Sequence, residues 1–85
     1  MKQLTVLCGE HCAYCKKAKM LIRRALERDP RFAALGIHYI CDESPEAGAW
    51  PHTLVPAFFV ERERAFEGNP DMARIMAILR LCYDS

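Results

Sequence analysis

Along the 85-residue chain the apolar positions change their spacing from one stretch to the next, and these changes mark out the elements. Leu4-Thr5-Val6-Leu7 is a short, almost continuous apolar run, which reads as a buried strand, with the first strand spanning Met1 to Leu7. From Cys12 to Arg28, the apolar Tyr14, Ala18, Leu21, Ile22, Ala25 and Leu26 recur at helical spacing, separated by Lys16, Lys17, Lys19, Arg23, Arg24 and Arg28. Asp29-Pro30 stops that helix, because proline disfavours helical geometry in the residue before it. Ile37-His38-Tyr39-Ile40-Cys41 alternates and predicts a second strand, half buried or better. A right-handed crossover would set the two strands parallel.

Residues 42–53 are polar and contain Pro45, Gly48 and Pro51, with room for one short helix around residues 44–50. Leu54-Val55-Pro56-Ala57-Phe58-Phe59-Val60 ends as a strand, and Pro56, which has no N–H for a ladder, belongs at its beginning. Glu61 to Arg64 suits a tight turn, and Arg64-Ala65-Phe66 a short fourth strand. Gly68-Asn69-Pro70 opens the last helix, with Asn69 as N-cap, Pro70 as first residue and Asp71 complementing the helix dipole. Met72, Ile75, Met76 and Leu79 form its expected inner stripe. No repeat or linker interrupts the chain, so a single domain over residues 1–85 is expected.

Composition narrows the partners. Twelve basic against eleven acidic side chains give a formal charge of +1, which calls for neither nucleic acid nor an acidic membrane. No apolar run approaches the roughly 20 residues that span a bilayer, and the N-terminus lacks a signal-peptide core, so a cytoplasmic protein is expected. Five cysteines at irregular spacing are an odd number and accompany a long helix, which argues against a secreted disulfide scaffold.

Cys12-Ala13-Tyr14-Cys15 is the motif that carries chemistry. A Cys-x-x-Cys is a redox pair, half of a four-ligand metal site, or two unrelated core cysteines. Here it lies at a strand-to-helix junction, with Cys12 at or just before the first helical turn. There the unpaired N–H groups and the helix dipole favour a thiolate and so create a nucleophile. Cys8, Cys12 and Cys15 also share the spacing of an iron–sulfur triad. A chain of this size cannot build the barrel that accompanies that triad, and no fourth ligand is evident, so no metal is expected. Cys8 reads as a semi-buried structural thiol or an auxiliary redox site, and Cys41 and Cys82 as core-edge cysteines. His11 reads either as a charge that tunes Cys12 or as a plain loop histidine.

The order β-α-β-α-β-β-α, with Cys-x-x-Cys after the first strand, Val55-Pro56 before the third and Gly68-x-x-Asp71 at the last helix, resembles the glutaredoxins of the thioredoxin-like superfamily. The resemblance covers essentially the whole chain. It implies an α/β fold with a four-stranded mixed sheet and flanking helices, and a monomeric glutathione-dependent disulfide oxidoreductase. By resemblance Cys12 is the nucleophile, Cys15 the resolving thiol, and Tyr14 a neighbour of bound glutathione. Pro56 would be cis, Val55 would pair with glutathione through its backbone, and Gly68, Asn69 and Asp71 would meet the γ-glutamyl end. The implied partners are glutathione and disulfide-containing or glutathionylated proteins.

Three positions depart from the family pattern. Gly9 stands where many members carry a basic residue, Leu54 where a threonine often precedes Val-Pro, and Glu67 where the first of two glycines is usual. Lys16, Arg62 and Arg64 are the candidate replacement cations. Two alternatives follow from the same residues. One is a glutaredoxin-like donor reduced by a thioredoxin-reductase-type flavoenzyme, and the other a thioredoxin-fold iron–sulfur carrier or binding module.

Overall fold

The structure is a computed structural model that describes residues 1–84. It is a small α/β domain with a four-stranded mixed sheet and two α-helices: β1 (Leu4–Cys8), α1 (Ala13–Arg28), β2 (Ile37–Cys41), β3 (Ala57–Val60), β4 (Glu63–Glu67) and α2 (Met72–Tyr83). The sheet order is β2-β1-β3-β4. β1 runs parallel to β2, with Leu4 opposite Ile37 and Cys8 opposite Cys41. β3 runs antiparallel to both β1 and β4. The central pair β1 and β3 is buried along its whole length, as their near-continuous apolar sequences require.

Alternation along β1 divides the core. Leu4, Val6 and Cys8 pack beneath α1 and α2 with Ala18, Ile22, Ile75 and Leu79. Leu7 faces the opposite side, with Ile40, Ala57 and Phe59. That side is covered by a single 3₁₀ turn at Pro45–Ala49 and by Trp50, whose ring meets Phe59 edge-on at 5.1 Å. The short helix expected around residues 44–50 is therefore a 3₁₀ turn, which suits a segment opened by Pro45 and containing Gly48.

Several boundaries move. The first strand begins at Leu4, and the preceding residues are held by Lys2 N–H donating to the Cys82 carbonyl. Cys15, not Tyr14, begins the buried stripe of α1, and Tyr14 is 50% exposed. The cap of α2 is Asp71, whose Oδ1 accepts the Arg74 N–H at 2.7 Å, while Pro70 lies outside the helix. Asn and Asp cap almost equally well, so local sequence cannot choose between Asn69 and Asp71. Ile75, Ile78, Leu79 and Cys82 are buried on α2, which shifts the inner stripe one turn and leaves Met72 and Met76 at its edge. Cys41 is exposed, against the expectation of a core-edge residue. β2 is an edge strand whose inward residue is Ile40, and Cys41 points to the face that α1 covers only in part.

Candidate active site

The turn between β1 and α1 sets the two motif cysteines in different environments. Cys12 is the N-cap of α1: its backbone is extended (φ −95°, ψ 119°), and its Sγ accepts the Cys15 N–H at 3.3 Å. A sulfur thus takes the place of the usual cap oxygen and satisfies one of the orphan donors of the first turn. Cys15 sits one turn into the helix, 2% exposed, with its Sγ accepting the Gly9 N–H at 3.1 Å. All five cysteines are thiols in this structure.

These environments push the two acidities apart. The Cys15 thiol, donating to Cys12, lowers the Cys12 pKa from its ordinary value, and the N–H groups of Cys15 and Tyr14 add to the effect. Partial desolvation and the Asp42 carboxylate oppose it. Burial pushes the Cys15 thiol up to about 12, and its proton-sharing with Cys12 acts in the same direction. A more acidic, half-buried thiol beside a buried, less acidic one is the pairing that thiol–disulfide exchange uses.

Opposite Cys12 lies the Val55–Pro56 peptide bond, which is cis. In its thiol form Cys12 donates to the Val55 carbonyl at 3.7 Å. Pro56 is buried and its carbonyl accepts the Gly68 N–H at 3.0 Å. Gly68 has φ +99°, a backbone conformation that favours glycine. Asn69 Oδ1 accepts from Lys17 Nζ at 2.9 Å, which ties the loop back to α1. Cys12, Val55, Pro56, Gly68 and Asn69, separated in sequence, are therefore joined through direct contacts, with Asp71 capping α2 at the end of the same loop. Tyr14 stands exposed on the first turn of α1.

The departures also find structural roles. The Glu67 carboxylate accepts the Thr53 N–H at 2.8 Å and pairs with Arg64 at 3.4 Å, so its charge is engaged within the loop. Arg62 stacks over Trp50 at 4.2 Å and donates to the Ala49 carbonyl. Lys16 lines a groove on the β2 side of α1. Lys17, which sequence reasoning passed over as one of several helix-face lysines, is the cation that reaches the Gly68-Asn69 loop. Only tertiary structure could single it out. A side chain at Gly9 would bring a Cβ within 3.2 Å of Cys12 Cβ and 3.4 Å of a Val55 methyl, so either neighbour would have to give by a few tenths of an ångström to admit one.

Among the described residues no group of three or more His, Cys, Asp or Glu side chains is arranged to hold a metal ion. No helix among them is long and apolar enough to cross a membrane. Comparison with protein-family models, with curated proteins and with solved structures finds no match for this chain.

Proposed function

We propose that this protein is a thiol–disulfide oxidoreductase of glutaredoxin type, with a thioredoxin-like fold, that uses glutathione to reduce disulfide-bonded or glutathionylated proteins. The observation that carries the reading is the Cys12 sulfur, capped onto the N-terminus of α1 and set 3.7 Å from the carbonyl of the cis Val55–Pro56 bond. The Cys12 thiolate attacks a substrate disulfide, forming a Cys12–substrate bond while the second substrate sulfur leaves as a thiolate. The Cys15 thiol or a glutathione thiolate then attacks the Cys12 sulfur and releases the reduced substrate. A Cys12–Cys15 disulfide is then reduced by two glutathiones. The first forms a Cys12–glutathione bond and releases the Cys15 thiol; the second attacks the bound glutathione sulfur, so that glutathione disulfide leaves and Cys12 returns as a thiolate. A Cys12–glutathione bond formed directly needs only this last step. The backbone beside Pro56 and the Gly68-Asn69 loop supply a rim for the peptide part of glutathione, with Lys17 as its nearest loop-bound cation.

A second reading keeps these thiols and takes electrons from a flavoenzyme. Gly9, which offers no cation where the glutaredoxin pattern often has one, favours it. Trapping tests the primary reading. Cys15→Ser protein mixed with a glutathionylated peptide is expected to carry glutathione on Cys12 by mass mapping. Peptide released without any adduct on Cys12, or transfer to another cysteine alone, contradicts it.

A further inference from the structure

Cys8 has no part in the chemistry above, yet it shares a face with it. The alternation of β1 points Cys8 at α1, together with Leu4 and Val6, and Cys8 joins the same core cluster as Cys15. The Cys15 sulfur lies 3.1 Å from the nitrogen of Gly9, the residue bonded directly to Cys8. Each of these two thiols also bears on the acidity of the other. Cys15 therefore has two sulfur neighbours, Cys12 and Cys8. Although Cys8 is only 6% exposed, it and Cys15 both line a groove of about 480 Å³ between α1 and β2, with Lys16, Lys19, Tyr39 and Cys41 around it.

We propose that Cys8 is a third redox thiol of this site, and that the oxidised protein moves its disulfide from Cys12–Cys15 to Cys8–Cys15, facing the α1–β2 groove. The proposal rests on the dithiol reading above, which supplies the first disulfide. In the step itself the Cys8 thiol gives its proton to solvent in the groove, and its thiolate attacks the Cys15 sulfur. The Cys8–Cys15 bond forms, the Cys12–Cys15 bond breaks, and Cys12 leaves as a thiolate. One disulfide exists before and after, so no external oxidant or reductant takes part.

The direction of the exchange follows from the environments. Cys12 is the best leaving group of the three, because the N-terminal turn of α1 stabilises its thiolate. Burial holds Cys8 as a thiol, which makes its attack slow but leaves its disulfide the form that gives up least. The consequence is that Cys12 returns to its nucleophilic state while the oxidising equivalent is kept on the other side of α1. Lys16 and Lys19 line the groove from which an anionic thiol would reach that second disulfide.

Disulfide mapping of the full chain decides the matter. Reduced protein is oxidised with diamide, remaining thiols are blocked with N-ethylmaleimide, and the chain is cut after Glu10 without reduction. This cut separates Cys8 from Cys12 and Cys15. A second cut after Tyr14 separates Cys12 from Cys15. The wild type is expected to yield a Cys8–Cys15 cross-linked peptide beside the Cys12–Cys15 form, and Cys12→Ser to yield the cross-link alone. A wild type that yields only Cys12–Cys15 overturns the proposal and leaves the dithiol reading standing. A wild type that forms neither disulfide overturns both.

Discussion

The Cys15 N–H reaches the Cys12 sulfur at 3.3 Å, so Cys12 caps the helix that Cys15 belongs to, and Cys15 in turn, through its thiol first and its N–H second, makes Cys12 the more acidic of the two. Burial first, and the thiol's sharing of its proton with Cys12 second, keep the proton on Cys15, whose pKa rises while that of Cys12 falls. This opposition supports the division of labour between an attacking and a resolving thiol.

Selective alkylation follows from it. Iodoacetamide at neutral pH is expected to modify Cys12 first, with a rate that titrates below the ordinary thiol value of 9.0. Cys15, buried and protonated, should react only far more slowly. Mass mapping over a pH series checks this, and equal rates at the two cysteines would remove the electrostatic basis of the site.

Stability should fall in alkali through Cys15. Its pKa is about 12 when folded against 9.0 for a free thiol, so the unfolded chain releases this proton first as the pH rises. The stabilisation it contributes is present below about pH 9 and is lost progressively between 9 and about 12. Denaturant melts of the reduced protein should show the wild type losing up to about 1.4 kcal/mol per pH unit relative to Cys15→Ala in that window. Parallel curves for the two proteins would show that Cys15 ionises equally in both states.

Asp71 has two separable roles. As N-cap of α2 it accepts the Arg74 N–H at 2.7 Å, and Asp71→Ala should cost about 1 kcal/mol, lowering Tm by roughly 4–8 °C. Asp71→Asn keeps a capping oxygen and removes the charge. Under the proposed function it should melt near the wild type but show a raised KM for glutathione. An unchanged KM would reduce Asp71 to a cap.

Gly9 should resist substitution. Gly9→Ala places a Cβ 3.2 Å from Cys12 Cβ and 3.4 Å from a Val55 methyl, so Cys12 and Val55 must spread by a few tenths of an ångström, which loosens the placement of the nucleophile against the cis-proline loop. A several-fold loss in kcat/KM for disulfide reduction is expected, with Gly9→Lys no better despite restoring a cation. A gain in glutathione affinity with Gly9→Lys would show that the loop can yield.

Much of this was legible from local pattern. The apolar run at Leu4–Leu7 and the 3.6-residue stripe through Ala18, Ile22 and Ala25 place Cys12 at a helix start, because both signals are local and strong. What was not legible depends on contacts between distant residues. Lys17 and Lys16 are neighbours on one basic helix face, and only the folded loop shows that Lys17 meets Asn69 while Lys16 lines the opposite groove. Glu67 looks like an adverse charge until Thr53 and Arg64 are seen to engage it. Cys41 looks like the end of a core strand until β2 proves to be an edge that α1 covers incompletely. The α2 boundary failed for a different reason, since Asn69, Pro70 and Asp71 are each compatible with a helix start and tertiary packing selects among them.

The most direct measurement is steady-state reduction of a glutathione mixed disulfide, coupled to glutathione reductase, for the wild type beside Cys12→Ser and Cys15→Ser. The account predicts turnover in the wild type, its abolition in Cys12→Ser, and a retained monothiol reaction in Cys15→Ser. Equal turnover in Cys12→Ser and wild type would contradict the assignment of the nucleophile. A wild type inactive with glutathione, whose disulfide a flavoenzyme system still reduces, would contradict glutathione as the electron source.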